Sequence, residues 1–523
     1  MSTPEVSLVV PVFNTMPYLT ECLTSLVEQT IGLARMQIIA VDDGSTDGSG
    51  AELDRFATRY PGVFTVIRQA NSGGPAGPCN RALDAATGRY VFFVGSDDHL
   101  GREALRRLVD AADANDADVV LGKVVGVHGR HIYQDIFAGN QTDVDLFDSP
   151  LPRSLANTKL FRRELLERHG IRYDEGLRIG SDLPFTLEAC YRARRISVLA
   201  DYDFYYAVRR FSATNITYLS RHAQRLATVE SVVSFVADLI EPGKQRDAIL
   251  LRRFDHEIAR LLEDDFLRLD RDTQQAVHAG IGRIVADHLT DEIAAGLGAE
   301  TRIRLALTRD GRLDDLLAVI RQDAETGVPA TLTEDGRSYA RYPGFRDGSL
   351  PDACFDVTTS PDWGAKLDAT GLAWERDENG DRVLTITARS PAPDLELLSV
   401  SAEEIPARVD IIAGPGTVRI RLRAAELLAG SDPTGQRRIV SAQPGPLDPG
   451  RALGASSATG AAGAAAVRVP RPVRMVPLLR RRGARLYVLT PALDASGRLM
   501  VSVVPFTAQR IAAQLRRLLR RRR

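Results

Sequence analysis

Two aspartates, Asp97 and Asp98, close the run Arg89-Tyr-Val-Phe-Phe-Val-Gly-Ser-Asp-Asp98, and they are placed to do chemistry. Side by side they repel unless a cation or a donor lies between them, and a divalent ion carrying a diphosphate would supply that cation. Tyr90 to Val94 ahead of them reads as a strand buried on both faces. In open α/β sheets ligands collect beyond the carboxyl ends of such strands, so both acids would face a substrate. The plainer reading is a cap on the helix expected over Arg102 to Asp113. Asp182, in Ile179-Gly-Ser-Asp-Leu-Pro-Phe185, has the same ambiguity, because an acid ahead of Pro184 and an apolar helix over Phe185 to Ala193 is an ordinary helix start. Arg209-Arg-Phe-Ser212 adds two guanidiniums and a hydroxyl. They suit a lid over a departing diphosphate or, more plainly, a solvated loop.

The elements that must hold these groups follow from the apolar spacing. Val6 to Val12 is a short strand, and Tyr18 to Gln29 has helical spacing through Leu19, Cys22, Leu23 and Leu26. Gln37 to Val41 is a second buried strand ending on Asp42-Asp-Gly-Ser-Thr-Asp47, where Gly44 permits a tight turn and Ser45 or Thr46 could cap a helix over Ser49 to Tyr60. Val63 to Arg68 is a third strand, followed by the glycine and proline loop Asn71 to Pro78 and a helix over Asn80 to Ala86. Strict alternation of strand and helix predicts a parallel sheet. Asp118 to Leu121 and Asn157 to Arg162 extend it, with a helix over Arg163 to His169.

Pro11-Val-Phe-Asn14, Val41-Asp-Asp-Gly-Ser-Thr-Asp47, Asn71-Ser-Gly-Gly-Pro75, Asn80 and Gly88 to Asp98 occur in that order. Together they resemble the GT-A domain of inverting glycosyltransferase family 2. The resemblance implies a Rossmann-like mixed α/β sheet, a UDP-sugar donor and a divalent metal, Mn²⁺ or Mg²⁺. By position it implies that Pro11, Phe13 and Asp42 contact uridine, that Asn71 and Asn80 line the base side, that Ser96 also lies against the nucleotide sugar, and that Asp97 binds the metal. Asp182 falls where the family carries its catalytic base, which takes the proton of the acceptor hydroxyl as that oxygen attacks the anomeric carbon. Arg209 and Ser212 would then close on the diphosphate.

Three positions depart from the family pattern. Gly95 stands where an acid is usual, Cys79 where an arginine precedes the asparagine, and Ser181 where a glutamate is frequent. Leu160-Phe-Arg-Arg163, Asp182-Leu-Pro-Phe185 and the Arg209 segment look closer to one subgroup, the polyol phosphate (wall teichoic acid) sugar transferases. That implies transfer of N-acetylglucosamine from its UDP form to a cell-wall polymer. Capsule or exopolysaccharide transfer with another donor stays open at Cys79. A non-catalytic polymer-binding scaffold stays open at Gly95 and Ser181.

With 523 residues the chain exceeds a single core, and about three domains are expected. Lys plus Arg (67) balances Asp plus Glu (68), so the global charge does not argue for nucleic acid. Cys22, Cys79, Cys190 and Cys354 form no CxxC pair, which argues against structural zinc and for a reducing, cytosolic setting. A basic apolar leader is not expected at Met1 to Glu5, nor is a run of the roughly 20 apolar residues that span a bilayer. The sugar-transfer domain is read over residues 1–220 and a helical linker over 221–330. In the linker Leu250, Phe254, Ile258, Leu261 and Leu262 form the apolar stripe of one amphipathic helix, with acids and arginines opposite. Residues 331–505 read as a β-sandwich, from Asn379-Gly380 between two extended runs, the alternating Val418 to Arg423, and the strands Leu486 to Leu489 and Leu499 to Val504, interrupted by the Gly454 to Ala466 tract. The resemblance implies an immunoglobulin-like module that assembles a homo-oligomer, and a carbohydrate-binding role is equally open. In residues 506–523, Ile511, Leu515, Leu518 and Leu519 face away from the arginines, the pattern of a basic helix lying on an anionic membrane or drawn to an anionic polymer or lipid-linked acceptor. The expected place is the inner face of the cell membrane, as a peripheral protein.

Overall fold

A nearly continuous valine-rich apolar run makes Val6–Val12 a strand, β1, which the computed structural model buries in the interior of a seven-stranded sheet. The structure describes residues 3–128, 130, 132–209, 222–327, 329–358, 363, 367–390, 398–402, 405–411, 417–429, 436–444, 465–466, 477–482, 485–493 and 499–505. The chain divides into two compact units, residues 1–261 with 286–296, and residues 262–285 with 297–523.

In the first unit, α1 (Tyr18–Val27), β2 (Met36–Asp42), α2 (Ser49–Arg59), β3 (Phe64–Arg68), α3 (Ala76–Asp84) and β4 (Tyr90–Phe93) follow β1 in the expected alternation. After β4 come β5 (His99–Leu100), α4 (Ala104–Ala114), β6 (Val119–Gly122), β7 (Val124–Val127), β8 (Lys159–Arg162), α5 (Arg163–Arg168), α6 (Asp182–Arg192), β9 (Ile196–Leu199) and β10 (Tyr205–Val208). The large sheet runs β3-β2-β1-β4-β8-β6-β9. From β3 to β4 it is parallel, with Val12 beside Asp42 and Val9 beside Phe93.

The parallel run expected from the alternation ends at β8, which is antiparallel to both β4 and β6 and makes the sheet mixed, as the resemblance implies. Residues 128–158 hold only two short 3₁₀ turns among the described residues, and without a crossover helix the chain can return only in the opposite direction. Antiparallel entry has one important result. Lys159, the first residue of β8, lies at the edge where the parallel strands discharge their last residues. A smaller sheet, β5-β10-β7, packs its strands next to the β4 exit.

The helical stripe is buried as expected, with Leu250, Phe254, Ile258, Leu261 and Leu262 each at most 1 % exposed. It is not one α-helix. An α-helix over Lys244–Arg252 passes into a π-helical turn over Arg253–Ile258. The extra residue in that turn shifts the register, and Arg253 is drawn into the interior at 4 % exposure.

The second unit includes helices over Ala299–Arg309 and Leu313–Thr326. Their buried partners include an Arg304–Asp323 ion pair, with the Tyr342 hydroxyl donating to Asp323 Oδ1 at 2.6 Å. Asp368–Arg376 and Arg382–Arg389 form the hairpin that Asn379-Gly380 signals, with Gly380 at φ 81°. Thr417–Arg423 pairs with that hairpin and alternates in burial as expected. Besides the two-stranded pair Thr331–Glu334 and Arg337–Ala340, two larger antiparallel sheets are described here, and one apolar cluster draws residues from both of these, including Leu384, Ile386, Ile420, Val440, Leu489 and Val501. Residues 454–464 of the glycine and alanine tract and the basic tail 506–523 lie outside the described residues.

Candidate active site

The side that the resemblance assigns to the nucleotide is assembled at the ends of β1 and β2. Asp42 is 6 % exposed, and its Oδ1 accepts the amide of Ser45 at 2.9 Å. A Cβ at Gly50 would stand 2.8 Å from Asp42 Oδ2, so α2 approaches this carboxylate only because it presents a glycine. Phe13 is 45 % exposed just past β1, an unusual position for a large aromatic ring, and Pro11 beside it is half-buried. Ser45 and Thr46 do not cap α2 as the sequence suggested. They bind Asn14 instead: Ser45 Oγ accepts the Asn14 amide at 3.1 Å, and the Thr46 amide donates to Asn14 Oδ1 at 2.8 Å. This knot ties the exit of β1 to the exit of β2.

Asp43, which spacing alone did not single out, organises the next loop. Its carboxylate accepts Gln69 Nε2 at 2.7 Å, the Ser72 amide at 3.0 Å and Ser72 Oγ at 2.9 Å. Asn71 joins in, donating to the Asp43 carbonyl at 3.1 Å and accepting the Gly73 amide at 3.0 Å. Asn80 acts as a clamp. Its amide accepts from the Tyr173 amide at 2.9 Å and donates at 2.9 Å to both the Tyr173 carbonyl and Glu175. The segment ahead of Asp182 is therefore pinned to α3. Gly74 completes the junction, since a Cβ there would lie 2.9 Å from the Arg178 carbonyl.

The two acids after β4 have separate tasks, and neither caps α4, which starts without a side-chain cap. Asp98 is 6 % exposed; its Oδ2 accepts the Tyr205 hydroxyl at 2.6 Å and its Oδ1 accepts the Val208 amide at 2.7 Å, with Arg130 at 3.6 Å. Burial and the neighbouring Asp97 push its carboxyl up to about 6, against the pull of Arg130 and these two donors. Asp98 thus anchors the turn to β10. Asp97 remains half-buried, and Ser96 beside it is 4 % exposed.

Asp182 is the first residue of α6, and the amides of Asp182 and Leu183 donate to its carboxylate, so it does serve the helix start that the plainer reading expects. It is half-buried among groups from four directions: Lys159 of β8, Arg253 of the π turn, Cys79 of α3 and Tyr173. Burial raises its carboxyl above the usual aspartate range, while its own amide, the Lys159 ammonium and the Arg253 guanidinium oppose the rise. A carboxyl so placed holds a proton more readily than an ordinary aspartate. Ser181 brings a buried hydroxyl for which no partner is found among the described residues. Arg209 follows β10, its amide donating to the Val127 carbonyl at 3.2 Å, whereas Ser212 lies outside the described residues.

Residues 7–169 match the model of glycosyl transferase family 2, and residues 222–320 match that of the glycosyl transferase TarS linker domain. An uncharacterized glycosyltransferase of Bacillus subtilis, EpsJ, is 32 % identical over 238 residues, which are 42 % of this chain and 67 % of that protein. The chain belongs to glycosyltransferase family 2. The poly(ribitol-phosphate) beta-glucosyltransferase of Bacillus spizizenii is 32 % identical over 358 residues, or 68 % of this chain, and the match spans 56 % of that relative's length. The crystal structure of Staphylococcus aureus TarS 1–349 in complex with UDP-GlcNAc superposes with a TM-score of 0.57 at 26 % identity, covering 66 % of this chain and 97 % of that one.

A family 2 domain implies a divalent metal, and the donors here can be tested against one. Among the described residues no group of three or more His, Cys, Asp or Glu side chains forms an all-protein cage. Mg²⁺ and Mn²⁺ bound with a nucleotide need none, because one or two carboxylates suffice when phosphates and water complete the shell. Asp97, half-buried beyond β4, fits that role, with Asp98 committed to Tyr205 and Val208.

Spacing could not find Lys159, Arg253 or Asp43. Lys159 reads as the polar start of a strand, and Arg253 enters only through the π turn. An aspartate in a glycine turn, as at Asp43, is the commonest of residues.

Proposed function

We propose that this chain transfers a sugar from a UDP donor, with inversion, to a polyol phosphate polymer. Asp182 takes the proton of an acceptor hydroxyl as that oxygen forms its bond to the anomeric carbon. The bond from that carbon to the diphosphate breaks, and its electron pair leaves with UDP. Asp97 would hold the metal, whose charge would offset that of the diphosphate. Arg209 and Ser212 close on the leaving group, while Pro11, Phe13, Asp42, Asn71, Asn80 and Ser96 receive the nucleotide sugar. The observation that carries this reading is the placement of Asp42, Asp97 and Asp182 around one edge of one sheet, the edge where open α/β folds bind ligands.

The relatives support the substrate class, since one is named for glucosyl transfer to poly(ribitol phosphate) and a matching structure holds UDP-GlcNAc. They differ in the sugar. Residues 1–220 carry the reaction, 221–330 are its helical linker, and 331–505 form an immunoglobulin-like sandwich that joins copies of the chain. The apolar cluster shared by the two sheets favours that module. The basic tail, residues 506–523, rests on the inner membrane face, and no helix among the described residues is long and apolar enough to cross a membrane.

The test is UDP release from UDP-glucose and UDP-GlcNAc with Mn²⁺ and purified poly(ribitol phosphate), for wild type and Asp182→Asn. Turnover that needs polymer and metal and disappears in the variant establishes the transferase, and the preferred donor names the sugar. Tight polymer binding with no turnover of any donor would instead make the chain a polymer-binding scaffold.

A further inference from the structure

We propose that an arginine-lined cavity in the second unit holds the phosphodiester backbone of the acceptor polymer, as a retention site additional to the catalytic edge. This rests on the reading of a polyol phosphate as the acceptor. The cavity, about 440 Å³, is within the roughly 300–1,000 Å³ of small-ligand sites. Its walls come from both larger sheets. The hairpin of Asp368–Arg376 and Arg382–Arg389 brings Arg382, and the end of the strand Thr417–Arg423 brings Arg423. Leu478–Arg482, at the edge of the other described sheet, brings Arg480 and Arg481. Against these four guanidiniums the lining holds one carboxylate, that of Asp381.

Two of these charges lack an acid of their own. Arg423 is answered by Glu426 at 3.6 Å and Asp377 at 3.9 Å. Arg382 donates to the Trp374 carbonyl at 3.5 Å, and neither it nor Arg480 has a carboxylate within 4.0 Å among the described residues, although both are half-buried. Arginines on an edge strand commonly guard it against pairing with another chain, but a guard works fully solvated and needs no counterpart across a cavity. Two cations partly withdrawn from water in one concavity repel each other, and an anion between them relieves both. A guanidinium donates two parallel N–H bonds to phosphate oxygens, and successive phosphodiesters of one chain would give Arg382 and Arg480 an anion each. A polymer held here stays with the enzyme between transfers, so that one binding event serves many.

The experiment measures binding of the full-length chain to purified poly(ribitol phosphate) by titration calorimetry without donor, and the polymer KM in the UDP-release assay. It compares wild type, Arg382→Gln/Arg480→Gln and the control Arg321→Gln/Arg341→Gln, which removes two exposed arginines of the same unit. The cavity variant should bind polymer about tenfold more weakly and raise its KM to match. Its KM should stay unchanged for the donor and for a single ribitol phosphate unit, which cannot occupy two sites at once. The control should match wild type. Equal polymer binding by the folded cavity variant and wild type overturns the proposal, and so does a loss that the control shares. Loss of binding to phosphatidylglycerol vesicles or to RNA, with polymer binding intact, overturns it and assigns the cavity to that ligand. A weaker variant that has also lost its assembly state in light scattering overturns it as well. Because binding is read without donor, a wild type that releases no UDP sinks the transferase reading alone, and binding lost in the cavity variant still supports the site. If the double variant does not fold, Arg480→Gln alone decides by the same criteria, with a loss of about threefold expected.

Discussion

The Tyr205 hydroxyl donates to Asp98 Oδ2 at 2.6 Å and accepts the Gly95 amide at 3.0 Å, so a single phenol fastens both ends of the acid turn after β4. Tyr205→Phe leaves a buried carboxylate oxygen and a buried amide short of a partner. We expect a loss of about 1–3 kcal/mol in chemical denaturation. Asp97 rides on the same turn, so the donor KM in the presence of Mn²⁺ should rise as well. An unchanged KM would separate the turn's stability from its ligand role.

Restoring a side chain at Gly95 should harm the turn. A Cβ there would lie 2.8 Å from Asp98 Oδ2 and 3.3 Å from Asp97 Oδ1. Gly95→Ala is expected to cost roughly 1–3 kcal/mol, and Gly95→Asp more, since it adds a third carboxylate to two that already repel. Thermal denaturation of both variants, ranked against wild type, checks this order.

Asn80→Ala separates two roles. The Asn80 amide is committed to the backbone of Tyr173 and to Glu175. Its loss should raise hydrogen exchange across residues 171–178 and lower kcat by displacing Asp182, with an effect on donor KM smaller than that on kcat. A variant whose donor KM alone rises, with exchange unaltered, would return Asn80 to direct nucleotide contact.

In the second unit, Asp323→Ala strands Arg304 in the interior and removes the acceptor of the Tyr342 hydroxyl. Breaking a buried pair from one side costs about 3–5 kcal/mol. Denaturant unfolding should show that loss, while UDP release at low temperature by the folded protein stays near wild type.

Much of the sheet was legible because its strands are buried on both faces. Val6–Val12 matches its expected span, and Tyr90 begins β4 as read. The helices drifted more: α3 begins at Ala76, ahead of the expected Asn80, because Pro75 and Pro78 can sit in a first turn that spacing assigned to the loop. The acids Asp42, Asp97 and Asp182 were visible as candidates since Asp42 ends a strand, Asp97 follows one closely and Asp182 starts a helix. What spacing could not carry was the partnership of distant residues. Asp98 depends on Tyr205, and Asp182 faces Lys159 and Arg253, pairs separated by 107, 23 and 71 positions along the chain. Arg253 also required a π turn, which no apolar period signals.

The insertion of β8 between β4 and β6 bears on how the protein is made. Ribosomes release β1 to β4 and β6 long before Lys159 emerges, and until it does, two strand edges at the middle of the sheet have nothing to pair with. Open edges of that kind recruit other chains. Fragments that stop short of residue 162 should precipitate or need a chaperone, while those that include α5 should remain in solution. The strand that brings Lys159 to its place is thus also the one whose arrival ends the nascent chain's exposure to aggregation.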